Sequence, residues 1–226
     1  MKKKIAIGLG LVGVILLFRA LGLDQYLNTE YLLEQRHQLL TLVDNHLLLT
    51  AFVYCGIYIG AVAFSVPGAA VLSIAGGLLF GLPFGMLIVN IGATLGATLN
   101  FIFARYIVGE SIQAKYSDKL EKFNEDIEKN GKNYLLTLRL IPVFPFFLIN
   151  VLAGVTSVKL RTFIWTTAVG IIPGSVFYVY AGTTLKNADT LTDFISWKTT
   201  VPLILLGLLA FLPVIINKYR KKTDEL

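Results

Sequence analysis

Residues 65 to 85 read SVPGAAVLSIAGGLLFGLPFG, an apolar stretch that holds two prolines and five glycines. A second apolar stretch, LRLIPVFPFFLINVLAGV (Leu138 to Val155), repeats the pattern with Pro142 and Pro145 and adds a charge, Arg139. In lipid every backbone N–H and C=O must find a partner within the protein. A proline inside a helix removes one donor and costs about 3 kcal/mol or more. Broken backbone at membrane depth is therefore tolerated only where protein or a water-filled cavity surrounds it. Pro67-Gly68 and Gly81-Leu82-Pro83 bracket a piece shorter than the ~20 residues that a spanning helix needs. The spacing predicts a re-entrant half-helix, and the Pro142–Pro145 stretch, with Gly154 at its far end, predicts a second.

The surrounding chain supports a membrane setting. Of 226 residues 55% are hydrophobic and 15% charged, with a mean hydropathy of +0.71. A soluble domain carries about 25% charged residues. The expected fold class is all-α: a polytopic helical membrane protein whose two broken segments lie in an inverted-repeat-like arrangement. Unbroken spans are expected at 5–23, 47–66, 84–106, 163–182 and 201–217. The first, preceded by Lys2-Lys3-Lys4, lacks a good small-x-small cleavage site and reads as an uncleaved helix. Three regions follow: a first helix with an amphipathic surface segment (1–46), a membrane core (47–185), and a last helix with a basic tail (186–226). In the surface segment Leu32, Leu39 and Val43 share a helical face. A further amphipathic helix is expected over 110–132, with Ile112, Tyr116, Leu120, Phe123 and Ile127 on one side. Gly56 and Gly60 form a small-xxx-small pair suited to close helix approach.

Net charge is +6 and is concentrated at the ends, in Lys2–Lys4 and in Lys218, Arg220, Lys221 and Lys222. Such clusters mark membrane orientation and anionic lipid contact rather than nucleic acid. They place both termini in the cytoplasm and the protein in a cytoplasmic membrane. Both ends inside require an even number of crossings, so five unbroken spans need the broken stretch 134–158 as a sixth. The single cysteine, Cys55, is a small buried hydrophobe. His37 and His46 lack a helical ligand spacing and have no cysteine nearby, so no metal is expected.

Arg139 and Arg105 lie in or beside apolar runs, where a charge costs about 2.5–3.5 kcal/mol on insertion scales. Each either snorkels to the head groups or binds an anion, since a guanidinium never deprotonates and grips phosphate bidentately. No acid occurs between Leu47 and Gly109 or between Asn130 and Ala188, so no proton-coupling carboxylate is visible within the membrane. Catalytic triads, metal-ligand sets and phosphate loops are absent as well. The expectation is a protein that is not an enzyme and carries no cofactor.

The block R-x-x-P-x-x-P-F-x-x-x-N-x-x-A-G, then P-G and Y-x-x-x-G, stands here as Arg139, Pro142, Pro145, Phe146, Asn150, Ala153, Gly154, Pro173, Gly174, Tyr178 and Gly182. With Pro67, Gly68, Gly77, Phe80, Gly81, Gly85, Gly92, Gly96 and Arg105 before it, residues 50–185 resemble the DedA superfamily, also called VTT-domain or SNARE-associated Golgi proteins. The resemblance implies two facing re-entrant segments and movement of lipid between leaflets. It marks Arg105, Arg139, Asn150, Pro67, Gly68, Gly81, Gly85, Pro142, Pro145, Gly154, Pro173, Gly174 and Tyr178 as candidate substrate-binding positions. The chain lacks the acidic residues and second arginine of the bacterial DedA branch, which sets it nearer the branch shared with eukaryotic Golgi proteins and away from polyprenyl-phosphate specificity and proton coupling. The leading function is a lipid translocase or scramblase for phospholipid or polyprenyl phosphate, its groove lined by small residues such as Gly85, Gly92 and Gly96. The alternatives are a carrier for a small anionic solute or ion and a non-transporting scaffold for envelope assembly. Expected partners are membrane lipids with an anionic head group. A homo-oligomer is allowed, and nucleic acid is not expected.

Overall fold

A computed structural model describes residues 28–109, 121, 124, 125, 133–140, 145–186, 200, 201 and 204. The described residues are helical and contain no strand. The span expected at 5–23, most of that at 201–217, most of the 110–132 helix, Pro142 and the terminal basic clusters lie outside them.

Helix α1 (Thr29–Glu34) starts at Asn28, whose side chain accepts from the Glu30 N–H at 3.0 Å. Helix α2 (Arg36–Ala63) follows and leaves helical geometry once, at His46 (φ −142, ψ 52). That position is the expected border between the surface segment and the membrane core. The surface segment is nevertheless tied to the protein, because Leu32 and Val43 are buried in the main core. Beyond His46 the outer face of α2 carries Leu48 and Phe52, 78% and 81% exposed. In a membrane such a face meets lipid.

A tight turn reverses the chain. Ser65 (φ 58) and Gly68 (φ 124) both sit in the left-handed region, which glycine adopts freely and serine only where the turn imposes it. Asn100 holds this turn from across the bundle, donating through Nδ2 to the Ala63 carbonyl (2.9 Å) and to Ser65 Oγ (2.7 Å). Helix α3 (Ala69–Phe103) then begins, and it leaves helical geometry at Gly81 (φ 72, ψ −179). The stretch Ala69 to Phe80 rises only about 18 Å, well short of a hydrocarbon core of about 30 Å. Pro83 opens the second part, where its missing N–H costs little because that donor would be an orphan anyway. A π-helical turn, Ala104–Gly109, closes the element.

The second half starts with α4 (133–140). Helix α5 (Phe146–Val155) has 10 residues and rises about 15 Å, again a half-span. Helices α6 (Leu160–Gly170) and α7 (Ile172–Leu185) follow. The span expected over 163–182 is thus not straight but bent by 43° between them. Each half contains a short helix followed by a longer helical stretch, and the two short helices are the two predicted broken segments.

The first half-helix packs backbone to backbone on α7. A Cβ on Gly77 would lie 2.7 Å from the Val179 carbonyl carbon, and one on Gly182 would lie 2.8 Å from that of Ile74. Leu78 and Val179 are fully enclosed at this contact. Gly92 faces the Tyr58 ring, and Gly96 faces Val62 and the Ile59 carbonyl. These glycines, with Gly85 against the Gly76 carbonyl, form helix contacts instead of the expected groove lining. Gly56 and Gly60 make no such contact: a Cβ at either would meet nothing within 4 Å.

Candidate functional site

Arg139 lies one residue before the end of α4. Its Nη2 donates to Asn150 Oδ1 at 2.7 Å and to Thr167 Oγ1 at 2.9 Å. Its guanidinium carbon lies 4.7 Å from the centre of the Phe146 ring and 5.1 Å from that of Phe163. Gly170 permits this placement, because a Cβ there would stand 2.6 Å from Arg139 Cβ. The other terminal nitrogen, Nη1, is buried and has no hydrogen-bond partner among the described residues, and neither has Asn150 Nδ2. A charged donor left unpaired at depth costs far more than an exposed one, so it calls for an acceptor.

Arg139 lines a cavity of about 340 Å³, within the usual range for small-molecule sites of about 300–1,000 Å³. Both broken segments contribute to its wall: Ala69, Ala70 and Ser73 from the first, Pro145, Phe146 and Ile149 from the second. Tyr58 of α2 and Gly174, Ser175 and Tyr178 of α7 complete it. No carboxylate among the described residues lines it. Helices α3 and α5 both begin at the cavity, and neither N-terminus has a side-chain cap. Free N–H groups at helix starts carry partial positive charge and favour anions. One fixed cation, two uncapped helix starts and no acid make the cavity suited to an anionic group.

Arg105 is used differently. Nε donates to the Gly154 carbonyl at 3.1 Å, and Nη2 donates to those of Thr156 (2.8 Å) and Val158 (2.6 Å). The last carbonyls of a helix have no partner within it, so this guanidinium closes the C-terminus of α5. It also stacks on Phe101, 4.4 Å from the ring centre. Gly154 lets the two elements meet, since a Cβ there would lie 2.6 Å from the Phe101 carbonyl oxygen.

Of the positions singled out in the sequence, Arg139, Pro145, Gly174 and Tyr178 come together in the cavity wall. Asn150, fully buried, orients Arg139, and Pro173 sits in the first turn of α7. Pro67 and Gly68 form the turn before α3, Gly81 the break within it, and Gly85 and Gly154 are packing positions. Asn90 and Asn100, polar residues at membrane depth, donate to the carbonyls of Ala168 and Ala63 and do not line the cavity. The sequence reading passed over Tyr58, Ser73 and Thr167. A signal existed for the first: Tyr54 and Tyr58 place two hydroxyls one helical turn apart on the buried side of an otherwise largely apolar span.

The described residues contain no group of three or more potential metal ligands. The family model of the VTT domain matches residues 66–184. Among curated proteins, Transmembrane protein 41B of Xenopus tropicalis is 34% identical over 176 residues, which are 76% of this chain and 63% of the relative. The human protein of that name is 32% identical over 176 residues, 76% of this chain and 60% of the relative. Transmembrane protein 41 homolog of Dictyostelium discoideum is 33% identical over 181 residues, 79% and 54% respectively. The chain thus spans between 54% and 63% of the length of these three relatives. No solved structure matches it. The matched region holds both broken segments, and on that match the chain belongs to the VTT-domain family of membrane proteins, within the DedA superfamily.

Proposed function

We propose that the chain moves lipid between the leaflets of a membrane, with the lipid phosphate passing by Arg139 and the acyl tails remaining in the bilayer. The observation that carries this reading is Arg139, which lines a cavity bounded by both broken segments and whose buried Nη1 has no partner among the described residues. A phosphate oxygen is the acceptor that best satisfies a guanidinium in such a place. The cavity volume of about 340 Å³ suits a head group and not a whole two-tailed lipid, which agrees with tails left outside. Arg105, committed to α5, is proposed as the anchor of the re-entrant helix instead of a cargo ligand. The sequence contains no nucleotide-binding loop, so movement is passive or gradient-driven. On this reading the protein belongs to the cytoplasmic membrane, and the terminal lysine and arginine clusters favour both termini on the cytoplasmic side.

The test is reconstitution into liposomes containing acyl-labelled fluorescent lipid, followed by an impermeant quencher. Protein-free vesicles lose only the outer-leaflet signal, and vesicles with protein are expected to lose nearly all of it. Quenching that stays at the protein-free level for phospholipids and for polyprenyl phosphate, with and without a proton gradient, refutes lipid movement and favours a carrier for a small anion.

A further inference from the structure

The cavity has a second polar wall that the phosphate reading does not use. Tyr58 and Ser73, 3% and 4% exposed, line it along with Arg139. The Tyr58 hydroxyl lies 2.9 Å from Ser73 Oγ and 3.4 Å from the Ala69 carbonyl oxygen. Ser73 Oγ lies 2.8 Å from the same carbonyl. Two hydroxyls bring one hydrogen each, and a carbonyl can only accept. Ser73 can donate to Ala69 while Tyr58 donates to Ser73. Tyr58 can donate to Ala69 while Ser73 donates to Tyr58, or both can donate to Ala69. Each of these three arrangements keeps both hydrogens within the trio and leaves oxygen lone pairs for the cavity. With its hydrogens so engaged this wall accepts, whereas Arg139 donates and cannot accept.

We propose that the Tyr58–Ser73 pair reads the lipid head group: with the phosphate on Arg139, it accepts hydrogen bonds from an ammonium or hydroxyl group, so phosphodiester lipids with N–H or O–H donors are favoured over those with none. This deepens the translocation reading and rests on it. A primary ammonium or a glycerol hydroxyl satisfies lone pairs that methyl groups cannot, and a buried polar site discriminates most strongly against a ligand that lacks the matching group. No acid among the described residues lines the cavity, so neutral oxygens serve charged and uncharged donors alike. An aromatic cage for a quaternary ammonium needs several free ring faces. Here the Phe146 ring is already stacked with Arg139 at 4.7 Å, and the Tyr58 ring is packed against Gly92. Among the described lining residues that leaves Tyr178, and one ring does not make a cage.

The experiment uses the full chain in liposomes and three acyl-labelled probes with identical tails: phosphatidylethanolamine, phosphatidylglycerol and phosphatidylcholine. An impermeant reductant reports the rate at which each reaches the outer leaflet. The ethanolamine and glycerol probes are expected to move about fivefold faster than the choline probe, the scale of one net hydrogen bond. In Tyr58→Phe combined with Ser73→Ala the ratio is expected to fall to about one, and in Ser73→Ala alone to an intermediate value. The ratio is internal to each preparation, so a partly misfolded sample does not shift it. Equal rates for the three probes in the wild type overturn the proposal and leave lipid translocation standing. A preference that survives the double variant overturns the assignment to this pair. If no probe moves, the translocation reading itself is lost and the proposal with it.

Discussion

Replacing Gly182 by alanine tests the central packing of the molecule. The added methyl would enter the backbone of α3, with the Ile74 carbonyl carbon and the Leu78 nitrogen each 2.8 Å from it. Both neighbours are main-chain atoms of a helix, so no side chain can rotate away. An ordinary carbon–carbon contact is about 3.5–4.0 Å, and the two elements must part by at least about 0.7 Å to reach it. A gap of that size along the neighbouring contacts forfeits about a quarter to a half of their attraction. Overpacking of this kind costs about 1–3 kcal/mol, or about 5–150-fold in the folding equilibrium. For a chain of this size that is a fall in Tm of about 2–12 °C. Gly56→Ala is the matched control. A Cβ at Gly56 meets nothing within 4 Å, and replacing a mid-helix glycine gains about 0.5–1 kcal/mol. The assay is thermal survival of the monodisperse peak in detergent or nanodiscs. The reasoning is refuted if Gly182→Ala melts at or above the wild type, or if Gly56→Ala falls as far.

Arg139→Lys keeps the charge but loses the planar fork that holds Asn150 and Thr167 and stacks on Phe146. Its lipid exchange rate at equal membrane abundance is expected to fall at least about tenfold, the scale of a charged hydrogen bond, and a rate equal to wild type rejects the phosphate role. Arg105→Ala removes the bonds to Gly154, Thr156 and Val158, and bonds to charged groups are worth about 1.5–3 kcal/mol. Thermal survival should therefore drop at least as far as in Gly182→Ala, and an unaffected melting curve excludes the anchoring role. For orientation, single cysteines at Lys3→Cys, Thr41→Cys and Thr223→Cys in a Cys55→Ser background should react with an impermeant reagent on intact cells only at position 41. The opposite pattern reverses the topology.

Both breaks in the helices were legible in the sequence because they are local. Gly81-Leu82-Pro83 cannot continue a helix in any surroundings, and Pro145 cannot donate to a turn before it. Membrane depth was legible for the same reason, since hydropathy sums over neighbours along the chain. Arg139 could be singled out because a charge within an apolar run requires a compensating partner wherever the chain places it.

The sequence alone thus determined the helical membrane class, the two half-helices and the two candidate arginines. Tertiary structure decided which polar groups meet. Arg105 and Arg139 look alike in sequence, yet one closes the end of α5, reaching as far as Val158, and the other lines the cavity and keeps a buried nitrogen without a partner among the described residues. The glycines divided in the same way. Gly77 and Gly182 carry the close contact between α3 and α7, while Gly56 and Gly60, better spaced for helix association by pattern, face open space. The Tyr58–Ser73 wall exists only because the turn at Gly68 folds α3 back against α2. Spacing along a chain prescribes what a residue can do next to its neighbours. Which carbonyl, ring or hydroxyl lies across from it depends on how the whole set of helices satisfies its backbone and fills its volume at once.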